Sequence, residues 1–206
     1  MRVTADKKEE TRRRIVEAAR GLFAEKGFEQ ATTRDIAEAA GIAAGTMFNY
    51  FPTKEALAVA IIDESLVEAG AEFEDRLRGD ESLDELLFAY VVAGLRHLAE
   101  HRKYVGDVLE TALSPFAGDA ACPQAQQLRV RHLVAVQELI GSHGLPPGSV
   151  PGVMTMHLYW TLYLGVLSFW VADESPNGED TLVALDQSMR LFVASLSSNS
   201  KEGKGD

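Results

Sequence analysis

The sequence predicts an all-α protein, and three observations support this fold class. Apolar residues recur with helical spacing, beginning with a stripe at Ile15, Ala18, Ala19, Leu22 and Phe23 that is typical of a helix with one buried face. Glycine and proline separate the periodic segments, as expected of helix-connecting loops. No segment shows the apolar–polar alternation of a half-buried strand.

Residues 32–57 form the most informative stretch of the chain. Thr32 is a good N-cap, and Asp35 lies three residues later, where its carboxylate can reach back to the cap. Gly41 follows the first short helix, where a left-handed residue is needed to close it. A second helix is predicted from Ala44 to Phe51. The pattern is that of a helix-turn-helix, whose second helix enters the major groove of DNA.

Three runs of sequence carry a family resemblance: TRRRIVEAARGLFAEKGF, TTRDIAEAAGI and GTMFNYFPTKEAL. In order and spacing they resemble the N-terminal domain of the tetracycline-repressor (TetR) family of bacterial transcription regulators. We therefore expect a three-helix helix-turn-helix DNA-binding domain over residues 1–54, with 1–10 as a flexible arm. A larger C-terminal helical domain for ligand binding and dimerisation is expected over 55–198, followed by a disordered tail over 199–206.

The resemblance also implies which residues contact DNA. Arg12 matches the family's basic position in the first helix, and Lys54 matches its phosphate-binding lysine. Two alternatives stay open: the arginines at 12–14 could instead pair with neighbouring glutamates, and Tyr50 could be mainly a core residue. The full set of expected DNA-contacting residues is Arg12, Thr33, Arg34, Ala44, Gly45, Thr46, Phe48, Asn49, Tyr50, Thr53 and Lys54.

Three positions depart from the usual family pattern. Ala43 stands where a serine often caps the recognition helix, and Ala44 stands where a basic or polar residue often contacts DNA. Phe48 replaces a tyrosine whose hydroxyl often meets a phosphate. We expect base reading to depend less on hydrogen bonds, and more on thymine methyl groups and DNA shape.

Charge is distributed unevenly along the chain. The net charge is −11, but residues 1–54 hold 10 Lys/Arg and 8 Asp/Glu, whereas residues 55–206 hold 10 and 23. The acidity therefore belongs to the C-terminal part, which DNA would repel. We expect only the N-terminal end to be presented to DNA.

Other classes of protein find little support. The single cysteine, Cys122, excludes an internal disulfide and fits a reducing, cytoplasmic location. The N-terminus lacks the apolar core of a signal peptide, and the apolar run Val150–Ala172 is interrupted enough to be a buried helix, so we expect no membrane partner. No catalytic arrangement or cofactor motif is evident, so neither an enzyme nor a cofactor is expected. His97 and His101 have metal-ligand spacing, but a metal is not the favoured interpretation.

The last two helices are predicted to form a homodimer interface. The penultimate helix is apolar nearly all round, and its small residues Thr161, Gly165 and Ser168 permit close helix approach. The last helix carries an apolar seam that includes Leu185, Met189 and Phe192. The resemblance implies that two such helices from each protomer form a four-helix interface. The alternative is a purely intramolecular core.

An effector cavity is predicted within each C-terminal domain, because aromatic residues exceed the needs of a simple core. Its ligand would be a largely apolar small molecule. His157 could be a polar anchor of this cavity or a satisfied core residue. The candidate wall residues are Phe88, Tyr90, Tyr104, Phe116, His157 and Trp160.

Together these expectations describe a transcription regulator, most simply a repressor that a small effector releases from a pseudo-palindromic operator. The sequence does not separate a repressor from an activator. A second hypothesis is a small-molecule binding or carrier protein whose helix-turn-helix no longer grips DNA.

Overall fold

A computed structural model describes residues 2–109, 122–143 and 151–202, and all its regular elements are helical. No strand occurs within these ranges, so the predicted all-α class is confirmed. Short 3₁₀ turns at Ala99–His101 and Pro176–Gly178 precede α6 and α9. The α-helices are α1 (Arg2–Lys26), α2 (Thr33–Ala39), α3 (Ala44–Met47), α4 (Lys54–Asp75), α5 (Leu83–Leu98), α6 (Arg102–Val108), α7 (Pro123–His143), α8 (Val153–Ala172) and α9 (Glu179–Glu202).

Both ends of the chain are more helical than the sequence predicted. The prediction of a flexible arm over residues 1–10 is wrong, because α1 begins at Arg2. The Thr11 hydroxyl donates to the Lys7 carbonyl at 2.9 Å, and Arg13 pairs with Glu10 and Glu17 one turn away on either side. The tail prediction is wrong over 199–202, since α9 continues to Glu202 with no helix breaker before it. Residues 203–206 lie outside the described ranges.

Helix α3 is shorter than predicted. It ends at Met47, and the chain reaches Phe51 through tight turns in which Asn49 N–H donates to the Thr46 carbonyl at 3.1 Å. Tyr50 N–H donates to the Met47 carbonyl at 2.9 Å in the same way. Pro52 prevents the helix from continuing beyond Phe51, because a residue before proline avoids the helical region.

The chain packs into two compact units that do not end at the boundary predicted after residue 54. The first contains residues up to Ser65 together with Leu98–Leu128, and the second contains Leu66–His97 and the chain from Arg129 onward. Helix α4 therefore contributes its first half to the N-terminal unit. Its residues 56–62 are all buried, which explains why this half packs as core rather than as a linker.

Each unit has its own apolar core. Burying one large aliphatic or aromatic side chain stabilises the fold by roughly 1.5–3 kcal/mol. No described helix is long and apolar enough to cross a membrane. The largest fully buried side chains of the first unit are Ile15, Ile36, Met47, Phe51, Leu57, Ile61 and Ile62, and those of the second are Leu86, Leu87, Tyr159, Trp160 and Phe192.

Candidate nucleic-acid interface and ligand core

The helix-turn-helix has the predicted cap geometry. Asp35 N–H donates to Thr32 Oγ1 at 3.1 Å, and Thr32 N–H donates to the Asp35 carboxylate at 3.3 Å, which completes a capping box on α2. Gly41 has a φ of 67°, and Ile42 N–H donates to the Ala37 carbonyl at 3.0 Å across it. This glycine sets the angle at which the chain leaves α2 for α3.

The outer surface of α3 and the following turn is apolar and small. Ala44, Gly45, Phe48 and Asn49 are exposed, and Phe48 has 51% of its surface accessible. Met47 and Phe51 are at most 1% exposed, so they anchor the element from inside. The surface that a DNA groove would meet thus carries few hydrogen-bonding side chains.

Two other expected contact residues on this element, Thr46 and Tyr50, are half-buried. Ala43 is the N-cap of α3 and makes no side-chain cap bond. The missing cap noted in the sequence is therefore a feature of the folded helix.

The ends of the neighbouring helices supply the remaining polar candidates. Arg34 is exposed and Thr33 half-buried in the first turn of α2. The Thr53 hydroxyl accepts a hydrogen bond from Ala56 N–H at 3.0 Å, so it caps α4. Thr53 therefore stabilises the start of α4.

The two basic residues expected at DNA phosphates already have partners within the first unit. Arg12 Nη1 donates to Glu64 Oε1 at 2.9 Å, and its guanidinium lies 5.5 Å from the centre of the Phe51 ring. Lys54 Nζ donates to the Phe28 carbonyl at 2.7 Å and sits 4.2 Å from the Phe28 ring centre. Both residues position helices against each other, and this role was not foreseen from the sequence.

Of the three adjacent arginines, Arg14 supports the motif most directly. Its Nη1 donates to the Ala40 carbonyl at 3.1 Å, immediately before Gly41. Arg13 instead forms the exposed glutamate pairs that were left open as an alternative. The sequence could not distinguish the three, because adjacent residues fan around a helix.

The second unit contains a buried aromatic cluster around His132. Its ring lies 4.2 Å from that of Tyr163, 5.7 Å from that of Tyr159 and 5.8 Å from that of Trp160. His132 Nε2 and Tyr159 Oη are 3.0 Å apart and share a hydrogen bond. Burial lowers the pKa of His132 to about 3, so its imidazole is neutral near pH 7. His132 was missed, although its four-residue spacing from Leu128 and Val136 was visible.

The effector candidates within the described ranges do not come together. Tyr90 and Trp160 contact the cluster around His132, whereas Tyr104 packs in the other unit against Phe23 and Phe28. The prediction for Tyr104 is therefore wrong, since its ring completes the core of the N-terminal unit.

His157 and Phe88 also differ from the expectation. His157 is exposed on α8, so it is neither the cavity anchor nor the core residue considered. Phe88 is half-buried and does not line the cavity beside His132. Phe116 lies outside the described residues. Helical phase explains these misses, because residues three apart, such as 157 and 160, differ in direction enough to separate solvent from core.

The predicted dimer residues divide into two groups. Thr161, Gly165 and Ser168 form an exposed stripe on α8, as a packing surface for another chain requires. By contrast Leu185, Met189 and Phe192 are fully buried, so the prediction that they form an intermolecular seam is wrong. Phe192 stacks edge-on against Tyr159 with ring centres 5.4 Å apart. The outward apolar residues of α9 are instead Leu182, Val183 and Leu191.

His97 and His101 do not share a metal site in the described chain. His97 Nε2 lies 2.7 Å from a Glu72 oxygen in the second unit. His101 is buried in the first unit, where its Nε2 lies 3.0 Å from Ser65 Oγ. Among the described residues, no group of three potential ligands is close enough to hold an ion.

Family comparisons match both the N-terminal and the C-terminal parts of the chain. Residues 15–61 match the family described as bacterial regulatory proteins of the tetR family, and residues 86–203 match the tetracyclin repressor-like C-terminal domain. This chain belongs to the TetR family of transcriptional regulators. The resemblance drawn from the N-terminal motif is thereby confirmed, and it extends over the C-terminal domain.

Curated relatives match part of this TetR-family chain. It is 37% identical to the regulator UidR of Escherichia coli (strain K12) over 81 residues, which is 39% of this chain and 41% of UidR. It is 44% identical to the repressor AcnR of Corynebacterium efficiens over 61 residues, 30% of this chain and 32% of AcnR. The matches thus span about two fifths or less of the length of these relatives.

Solved structures share the fold over nearly the whole chain. A TetR regulator from Rhodococcus sp. RHA1 has a TM-score of 0.72 and 21% identity, covering 90% of this chain and 97% of that one. FadR from Thermus thermophilus, a TetR-family repressor in complex with lauroyl-CoA, has a TM-score of 0.70 and 23% identity, covering 88% and 93%. At these identities the likeness establishes the fold.

Proposed function

We propose that this TetR-family protein is a homodimeric repressor that binds a pseudo-palindromic DNA operator and is released by a small, largely apolar effector. The observation that carries the proposal is the helix-turn-helix. The inner face of α3 is buried in the first unit, and its outer face is exposed and can contact a partner. A capping box and a left-handed glycine fix the two helices at their junction. Small residues at the start of α3 allow the backbone to approach a groove closely.

Charge and surface chemistry support the same assignment. The acidic C-terminal part favours approach to DNA through the N-terminal end alone. The exposed stripe on α8, with apolar neighbours such as Leu158 and Phe169, supports association of two copies. Two-fold symmetry would then place two α3 helices on successive turns of one face of DNA.

The effector would act from the second unit. Helix α4 lines the small cavity beside His132 and begins at Lys54, directly after the helix-turn-helix. A ligand that favours one arrangement of α4 shifts the population of operator-competent molecules by its differential affinity. One candidate class is an acyl-CoA, such as the lauroyl-CoA with which Thermus thermophilus FadR is in complex.

A carrier protein with a degenerate helix-turn-helix is the competing function. Its support is the uncapped Ala43 together with the internal pairing of Arg12 and Lys54. Those internal bonds leave fewer charges for phosphates than the family pattern implies.

Selection of bound genomic fragments, followed by fluorescence anisotropy on the selected duplex, tests the proposal. We expect Arg34→Ala to weaken operator binding about tenfold, because an exposed arginine at a helix start can reach a base edge or phosphate. Arg78→Ala, which removes an exposed arginine from the loop after α4, should leave binding unchanged. A protein that stays monomeric at micromolar concentration and prefers no duplex at low salt would overturn the proposal in favour of the carrier.

A further inference from the structure

Helix α1 extends beyond the helix-turn-helix at its N-terminal end. Lys26, in its last turn, pairs with Asp35 in the first turn of α2, with Nζ and Oδ2 3.7 Å apart. Arg14 donates to the carbonyl of Ala40, the C-cap of α2. The two helices are therefore antiparallel, and α2 ends beside Arg14. We call residues 2–10 of α1 the N-terminal extension.

The N-terminal extension projects past the turn that leads to α3. Residues 5–10 are all exposed. At 1.5 Å per residue the extension is roughly 13 Å long. It continues α1 past the end of α2, and α3 begins at Ala44 after the short turn that follows. Because the first residues of a recognition helix approach the DNA bases, the extension lies on the side of the first unit where α3 would enter a groove.

The two lysines of the extension lie on the inward side of α1. Lys7 precedes Arg14 by seven residues, and Lys8 precedes Ile15 by seven. Residues seven apart lie on nearly the same side of an α-helix. Arg14 faces the end of α2, and Ile15 is fully buried. Both lysines therefore point toward the space beyond α2, in front of the start of α3.

The acidic residues of the extension do not neutralise these lysines. Glu9 pairs with Arg12 at 3.8 Å, and Glu10 pairs with Arg13 at 2.9 Å. Asp6 precedes Arg13 by seven residues, so it lies on the outward side with that exposed arginine. Among the described residues, neither lysine has an ion-pair partner. The inward side of the extension is therefore positively charged.

This charge compensates for basic residues that are used inside the first unit. Arg12 donates to Glu64, and Lys54 donates to the Phe28 carbonyl, so both are occupied within the protein. Duplex DNA carries a negative charge at every phosphate, and lysine side chains that neutralise phosphates release counterions whatever the base sequence. A lysine on an exposed helix can contact the backbone without entering a groove.

We propose that the N-terminal extension binds the phosphate backbone of the duplex beside each operator half-site, through Lys7 and Lys8. The inference rests on the proposed operator binding and adds a contact outside the bases that α3 reads. Phosphate contacts carry no sequence information directly, so this contact raises affinity without changing the preferred sequence. From its length, the extension reaches about four base pairs beyond the groove that α3 occupies.

The salt dependence of operator binding tests this contact. Lys7→Gln/Lys8→Gln is compared with the wild type by fluorescence anisotropy on the selected duplex, between about 50 and 200 mM salt. Each lost phosphate contact lowers the slope of log K against log salt by about 0.9, and a dimer carries four of these lysines, so the slope should fall in magnitude by about 2 to 4. At about 0.1 M salt the variant should bind at least roughly tenfold more weakly.

The same substitution elsewhere in the first unit is the matched control. Lys103→Gln removes an exposed lysine from α6 and should keep the wild-type slope. The double variant should remain folded, because both its sites are exposed and glutamine favours a helix about as well as lysine does.

The length of the duplex locates the contact. The wild type should bind about tenfold more weakly to a duplex that ends at the outer edges of the half-sites than to one with about four further base pairs on each side. The double lysine variant should bind both duplexes equally. Changing the sequence of the flanks at fixed length should alter neither result, because phosphates are the same in every sequence.

An unchanged salt slope in the double lysine variant, or a loss of affinity that does not depend on flank length, would overturn the inference. Weaker dimerisation of the variant in sedimentation equilibrium with an unchanged slope would overturn it too, since the extension would then bind the acidic part of a second copy. A wild type that binds no duplex refutes the proposed repressor and this contact together. A wild type that binds its operator with the same salt dependence as the variant refutes this inference alone.

Discussion

Phe48 is the most informative single residue of the candidate DNA surface. Phe48 lies at the end of α3 beside the exposed Asn49, and half of its surface is accessible to water. Such exposure of an aromatic ring is unusual unless an apolar partner covers it. Its neighbours Ala44 and Gly45 have no polar side-chain atom that could hydrogen-bond to a base. An apolar ring in this position favours contact with the C5-methyl group of thymine in the major groove.

We expect Phe48→Ala to abolish the ability of the protein to distinguish thymine from uracil at one position of each operator half-site. Anisotropy on operators with single thymine-to-uracil changes measures this directly, since uracil lacks only the methyl group. The wild type should lose about fivefold in affinity at the sensitive position, consistent with one buried methyl group. Phe48→Tyr keeps the ring and should keep the discrimination. A Phe48→Ala protein that still prefers thymine as strongly as the wild type would show that the methyl is read elsewhere.

For single residues, the sequence predicted the roles that depend only on neighbouring residues in the chain. Thr32, Asp35 and Gly41 have the cap roles assigned to them, because capping needs only local geometry. The roles of Arg12 and Lys54 were incomplete, because Glu64 and the Phe28 carbonyl are distant in sequence. No local pattern could have named those partners.

Among the elements, α3 is the least secured by its own sequence. It has four residues, and its N-cap Ala43 offers no side-chain acceptor although its backbone has the extended conformation of a cap. A helix this short depends on tertiary packing through Met47. A better cap should therefore strengthen both the element and the surface it presents.

We expect Ala43→Ser to raise the free energy of unfolding by about 1 kcal/mol, because the new hydroxyl can accept from a free N–H at the start of α3. Urea unfolding at fixed protein concentration measures the change. Ala24→Ser, at an exposed site within α1, is the matched control, since serine favours a helix interior less than alanine. It should be neutral or slightly destabilising. Equal effects of the two changes would mean that the hydroxyl does not cap α3.

Helix existence was predictable, but helix ends and faces were less so. The periodic stripes of α1 and α5 are visible in sequence, whereas the start of α1 depends on polar pairs such as Arg13–Glu10. For α9, the sequence correctly predicted a buried apolar face through Leu185, Met189 and Phe192. That face packs within the same chain and not against a second copy. Periodicity shows that a face is covered and does not show whether the cover comes from the same chain.

For the whole molecule, the outward apolar residues of α8 and α9 define the expected dimer surface. Leu191 is 68% exposed, and Val183 and Phe169 are also open to solvent. We expect Leu191→Glu to raise the dimer dissociation constant at least tenfold, because association would then bury an unpaired carboxylate. Sedimentation equilibrium measures this. Val130→Glu is the matched control on α7, where the valine is 61% exposed and outside the proposed interface.

Operator binding should weaken together with dimerisation, since one protomer reaches only one half-site. An unchanged dissociation constant for Leu191→Glu, or an equal loss for Val130→Glu, would move the interface away from α9. The sequence predicted the small residues of this surface on α8 but not Leu191, because the outward side of α9 became evident only once its inward seam was located.

The buried imidazole of His132 links the core of the second unit to the pH dependence of stability. Its pKa falls from 6.5 to about 3 on folding because burial disfavours the charged form. Below pH 6.5 the unfolded chain binds a proton that the folded chain does not, so stability falls as pH falls from about 6.5 toward 3. Between pH 7.5 and pH 5.0 this one group should cost about 2 kcal/mol. The neighbouring tyrosines do not titrate in that window, since burial raises their pKa values.

We expect His132→Gln to be less stable than the wild type at pH 7.5 but to lose less stability on going to pH 5.0, by about 2 kcal/mol. Urea unfolding at both pH values, at one protein concentration, gives the comparison, in which the other titratable groups cancel. His157→Gln is the matched control, because it makes the same substitution at an exposed histidine of α8. An unaltered pH dependence in His132→Gln would mean that the His132 imidazole takes up a proton as readily in the folded chain as in the unfolded chain.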